Sequence, residues 1–185
     1  MSWLDVILGR TKPVQPDLDA LFALPSAAVT LQAATGLAPT GVGSVSYRAA
    51  EGGAFATLHG DVKALLGERV EESEDVYGYS WLVVRRAPDA LSDLVTELHA
   101  VNSSLEDAGF GPSLLCSLVS FTDAQGRRLA IVYLYKRGTF YPFAPLGGQL
   151  RDNALELQAR GALTGELKIE EDLSRWFPVW GAPGL

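Results

Sequence analysis

Residues 114–122, LLCSLVSFT, and residues 129–136, LAIVYLYK, decide the fold. Both runs are rich in strand-forming residues, and Asp123-Ala124-Gln125-Gly126 between them supplies a turn, so together they predict an antiparallel hairpin. In the second run Leu129, Ile131 and Tyr133 alternate with Ala130, Val132 and Leu134. A strand apolar on both faces is a central, covered strand.

Working outward, residues 89–108 place Leu91, Leu94, Val95, Leu98, Val101, Asn102 and Leu105 at helical spacing before Gly109, which predicts a long helix lying on the hairpin. Residues 76–86 read as a strand through Tyr77, Tyr79, Trp81 and Val83. Between residues 41 and 58, Val42, Val45, Tyr47, Phe55 and Leu58 flank Glu51-Gly52-Gly53, a turn signal that predicts a further hairpin. Residues 61–66 read as one helical turn, and the acidic run 68–75 as a solvated loop. Asp17 is placed to cap a helix through Phe22, a second runs from Ser26 to about Thr35, and a short one covers 153–160. The fold class is therefore α+β: an antiparallel sheet of about five strands in the order α-βββ-α-ββ-α, with helices packed on one face.

A chain of 185 residues with 48% apolar and 20% charged residues has enough apolar surface for one domain with a substantial core. Residues 1–16 read as an amphipathic segment and linker, residues 17–185 as a single domain with a docked aromatic tail. The net charge of −7 argues against nucleic acid as a partner. The lone Cys116 excludes an internal disulfide and a multi-cysteine zinc site, and suits a reducing cytoplasm. No uninterrupted apolar run reaches the ~18 residues of a membrane span.

Catalytic signals are sparse. His59 and His99 form no metal-binding pair, Gly41-Val42-Gly43 lacks the third glycine of a dinucleotide fingerprint, and Gly147-Gly148 is followed by no phosphate-loop residues. No cofactor is implied. The polar end of the long helix, with Asn102, Ser103, Ser104, Glu106 and Asp107, offers hydrogen bonds but no ligand set. An enzyme using Cys116, His99 or that polar helix end stays open as one reading.

Binding features are more numerous. Arg85 and Arg86 end one strand, Lys136 and Arg137 another, and Phe140, Tyr141, Phe143 and Arg151 follow. If Arg85, Arg86, Lys136 and Arg137 share a rim with Tyr141, they make a site for an acidic partner. Trp3, Leu4, Ile7 and Leu8 form an apolar face on an element too short to persist alone in water. The end of the chain, Trp176-Phe177-Pro178-Val179-Trp180, is too aromatic to stay solvated and should dock on the domain or on another chain.

Four stretches resemble the bacterial PspA-associated protein PspAB family: LGRTKP at 8–13, HAVNSSLEDAGFG at 99–111, YKRGTFYPF at 135–143 and DLSRWFPVW at 172–180. The resemblance spans nearly the whole chain and implies association with a phage-shock-type envelope-stress system built around PspA. It carries no catalytic residue onto this sequence. The order of elements also looks like type III secretion chaperones and YbjN-like proteins, folds that dimerise and hold a partner segment, so a homodimer is compatible with it. The expectation is a non-catalytic adaptor or chaperone-like protein of the cytoplasm, reaching the inner membrane face through its partner.

Overall fold

The computed structural model describes residues 16–49, 52–67 and 70–185. The apolar face of Trp3, Leu4, Ile7 and Leu8 lies outside the described residues. A 3-10 segment, Leu18–Ala23, leads into α1, Leu24–Thr35, and the chain then forms β1, Ala38–Tyr47, and α2, Gly53–Leu66. Strands β2, Val70–Glu74, and β3, Ser80–Arg85, precede the long α3, Leu91–Asp107. Next come β4, Leu114–Thr122, β5, Arg128–Leu134, and β6, Thr139–Phe143; a small separate hairpin of β7, Pro145–Leu146, with β8, Leu150–Arg151, and α4, Asn153–Leu163, follow.

The strands form one six-stranded sheet, β2-β3-β1-β4-β5-β6, in which every neighbouring pair is antiparallel. The predicted class holds, with six strands in place of about five. The β4–β5 hairpin turns through Asp123, whose carboxylate accepts from the Gln125 and Arg127 amides at 3.0 and 2.9 Å. Strand β5 is interior, between β4 and β6, as its two apolar faces require.

The four α-helices among the described residues add to one buried cluster with Val45, Tyr47, Leu82, Ile131 and Tyr133 on one face of the sheet. Along α3 the predicted stripe is buried from Leu91 to Leu105, Asn102 included, because its amide donates to Ser117 Oγ at 2.8 Å. At Gly43 on β1, α3 packs tightly on the sheet: a Cβ there would come within 2.9 Å of Leu98 Cδ1 and 3.2 Å of Leu94 Cδ1. Gly43→Ala is therefore expected to destabilise the fold by about 1–3 kcal/mol through overpacking, read as a lower urea midpoint at unchanged slope. An unaltered midpoint would show that α3 can retreat without cost.

The Leu18–Thr35 stretch is long and apolar enough, at mean hydropathy 1.2, to match a membrane-crossing helix by length and composition. Asp19 and Gln32 interrupt it, and Leu21, Leu24, Ala27, Ala28 and Leu31 are buried in the helix-side cluster.

Several local readings are corrected. Glu51-Gly52-Gly53 does not close a hairpin: Gly52, at φ 129°, opens α2. Phe55, Val62 and Leu66 then follow helical spacing and are buried together, a period stronger than the turn signal before it. Within the acidic run, Val70–Glu74 is an edge strand, β2, that buries only Val70 and leaves Glu71, Glu72 and Glu74 exposed. Charges on an edge strand discourage pairing with another chain. Residues 76–79 are turn, so β3 starts at Ser80, and 139–143, with Pro142 inside it, adds a strand that the sequence reading did not assign. Pro142 is tolerated because β6 ends the sheet, where only residues 168–170 run alongside; Phe140 N donates to Lys168 O at 2.8 Å and Glu170 N to Phe140 O at 2.7 Å.

The second face of the sheet carries Trp81, Val83, Cys116, Leu118, Ala130, Val132, Tyr141 and Phe143 and, among the described residues, has no α-helix over it. A helix-free apolar face needs another cover, and the C-terminal segment supplies it as a strap. Trp176 is buried, with its indole N–H donating to Glu170 O at 2.9 Å. Tyr141 OH donates to Phe177 O at 2.7 Å, and Arg151 donates to Trp176 O at 2.5 Å. Farther along, Ala182 is buried and Gly184 lies where a Cβ would come within 2.7 Å of Ser120 Oγ. The aromatic tail thus docks on its own domain.

Candidate functional site

Between its two anchored ends the strap stands off the sheet and leaves an open cavity of about 450 Å³. That volume lies in the range of small-ligand and side-chain pockets. Its floor is Trp81, Cys116, Leu134 and Tyr141, its outer wall Phe177, Val179 and Trp180, and its side wall Asp75, Tyr77 and Tyr79. Lys136, Arg137 and Arg175 stand among its lining residues as well.

Each wall has a local cause. Ser46 pairs with Cys116 and Tyr47 with Leu114, so Leu115 is an extra residue in β4; that bulge turns it into the pocket lining. Asp75 fixes the β2–β3 turn: one carboxylate oxygen accepts from the Tyr77 and Tyr79 amides at 2.8 and 3.1 Å, and the other from the Trp81 indole at 3.0 Å. Trp180 meets the Phe143 ring edge-on at 5.0 Å between centroids, which sets how far the strap stands from the sheet.

The cations near the mouth differ in what they are bound to. Arg137 is held by the buried Glu170 through two hydrogen bonds of 2.9 and 3.1 Å, and Thr139 donates to the same carboxylate at 2.8 Å. The Arg137 guanidinium, with Thr139 and the Asp172 amide helping against burial, lowers Glu170 to a pKa of about 2. Arg175 pairs with Asp172 at 3.2 Å. Lys136 is exposed and has no ion pair among the described residues.

The expected four-cation rim does not form. Strand β3 runs antiparallel to β5, and the register Trp81–Ser46–Cys116–Leu134 puts Lys136 and Arg137 beside the start of β3, whereas Arg85 ends it opposite Val42. Arg85 is engaged by Glu71 at 3.2 Å, and Arg86 forms a two-pronged pair with Glu97. Lys136 and Arg137 do share the pocket with Tyr141 and Trp180. Phe143 and Trp176 are buried, and Arg151 holds Glu156 and the strap, so these three build the site from behind.

A family model for PspA associated protein B matches residues 1–184. The chain belongs to the PspA associated protein B family. Comparison with curated proteins and with solved structures gives no match. The family's name ties its members to PspA, which is consistent with a protein partner.

In this family member the groups once considered for nucleophilic chemistry are kept apart. Cys116 belongs to the strap-side cluster, while His99 is on α3 across the sheet, bonded to Asp19 at 2.9 Å and against the Phe22 ring. Burial, with Asp75 adding to it, pushes the Cys116 thiol up to about 12, so it sits in the pocket floor as a small apolar group. At the polar helix end Asn102 is bonded to Ser117 and Ser103 to His99. Among the described residues no three His, Cys, Asp or Glu side chains gather as a metal site.

Sequence reasoning missed Asp75, Tyr77, Tyr79, Trp81 and Phe177 as one site. Two signals pointed that way: a doubly apolar hairpin that needed cover on both faces, and an aromatic tail that needed a surface.

Proposed function

We propose that this chain is a non-catalytic adaptor of a PspA-centred envelope-stress system, working in the cytoplasm and holding a segment of PspA in the strap pocket. One observation carries the assignment of the site. Tyr77, from the β2–β3 turn, and Phe177, from the strap, flank one opening and are 58% and 57% exposed, with Val76 beside Tyr77 at 94%. Large apolar side chains left in water at the mouth of a formed apolar pocket are the arrangement of a protein-binding hot spot. The family's tie to PspA supplies the partner.

The test is the double variant Tyr77→Ala/Phe177→Ala, titrated with purified PspA. Both side chains are exposed, so the unfolding midpoint should stay close to wild type while affinity falls by at least about 30-fold. Equal affinity for PspA would remove the pocket from the interaction.

A further inference from the structure

The charges around the strap pocket restrict what it can hold. Asp75 accepts from two backbone amides and the Trp81 indole and keeps its negative charge on the side wall, Arg137 is held by Glu170, and Arg175 is paired with Asp172. Lys136 is the one charged lining residue without a hydrogen bond or ion pair to a described residue. The chain as a whole carries −7, and this ammonium beside an apolar cavity is the one positive charge of the lining left to a guest.

A wholly apolar guest would leave Lys136 unused, and a basic guest would meet it as a like charge. An acidic residue beside the guest's apolar side chain would be attracted to it, with the strength of a partly desolvated pair. We infer that the pocket selects an acidic amphipathic segment, one whose large apolar side chain fills the cavity between Trp81, Cys116 and Trp180 while a neighbouring carboxylate pairs with Lys136. This selectivity rests on the proposed docking of PspA in the pocket, and it adds the chemistry of the docked segment.

The experiment titrates purified PspA against the full chain and its Lys136→Glu, Lys136→Arg and Tyr77→Ala/Phe177→Ala variants at two salt concentrations. Lys136 is exposed, so its variants should fold as wild type. The expected result is at least tenfold weaker binding for Lys136→Glu, binding within about threefold for Lys136→Arg, and a smaller salt dependence for Lys136→Glu than for wild type. Unchanged binding by Lys136→Glu, with binding lost in the aromatic double variant, would overturn the acidic-guest inference and leave the pocket as the docking site. Unchanged binding in all variants would overturn both. Tighter binding by Lys136→Glu would reverse the charge assigned to the guest.

Discussion

Replacing Trp176 with Ala is expected to lower the unfolding free energy by about 3–5 kcal/mol, the range for deleting a large buried aromatic side chain. Trp176 is 5% exposed, stacks on Tyr141 at 6.1 Å, receives Arg160 over its ring at 6.0 Å and donates its indole N–H to Glu170 O. Loss of the ring leaves a void under the strap and removes its first anchor, so the pocket wall loosens with it. Urea unfolding checks the stability, and PspA binding by the fraction that remains folded checks the wall. A loss below about 1 kcal/mol would mean that the strap is not part of the core.

Glu170→Ala should cost about 2–4 kcal/mol. The carboxylate is buried and accepts from Arg137, Thr139 and the Asp172 amide, so its removal orphans the Thr139 hydroxyl and releases Arg137. Breaking a buried pair costs more than breaking an exposed one, and the partial exposure of Arg137 places the effect below the top of that range.

The same group has a pH signature. Its folded pKa, about 2, lies below its ordinary value of 4.5, so the unfolded chain takes up the proton first as the pH falls. The stabilisation is fully present above pH 4.5 and is lost as the pH drops from there through about 2. Glu170→Gln should therefore show a shallower fall in stability across that window than wild type. Parallel curves for the two proteins would show that Glu170 titrates alike in the folded and unfolded chains.

How much of this was legible in the sequence depended on the range of the forces involved. The β4–β5 hairpin and α3 were readable because their turn, alternation and helical stripe are local patterns that tertiary packing then reinforced. The start of α2 was misread because two glycines signal a turn and equally a helix entry, and only the burial of Phe55, Val62 and Leu66 against the sheet decides between them. Strand β6 carries no assignment in the sequence reading, and Pro142 fits a strand only at a sheet edge, a position that topology decides.

For the site, Lys136, Arg137 and Tyr141, grouped as one rim from the sequence, line a single pocket, and Trp180, expected only to dock with the tail, lines it with them. Arg85 and Arg86 were grouped with them only because strand ends look alike along the chain. Antiparallel register sends those two arginines to the far end of the sheet, where Glu71 and Glu97 take them up. The tail's docking followed from its aromaticity, but that it would roof this face required knowing that every described helix packs on the other.

The most direct test of the account is an indole N–H spectrum of the ¹⁵N-labelled chain recorded during titration with purified PspA. The sequence has four tryptophans, of which Trp81 and Trp180 line the pocket and Trp176 anchors the strap from a buried position. Single Trp→Phe variants assign the signals. Binding in the strap pocket predicts that the Trp180 and Trp81 indole signals shift or broaden in proportion to the complex formed. Formation of a stable complex, confirmed by its mass, with both of those signals unmoved would contradict the strap pocket as the site at which this protein meets PspA.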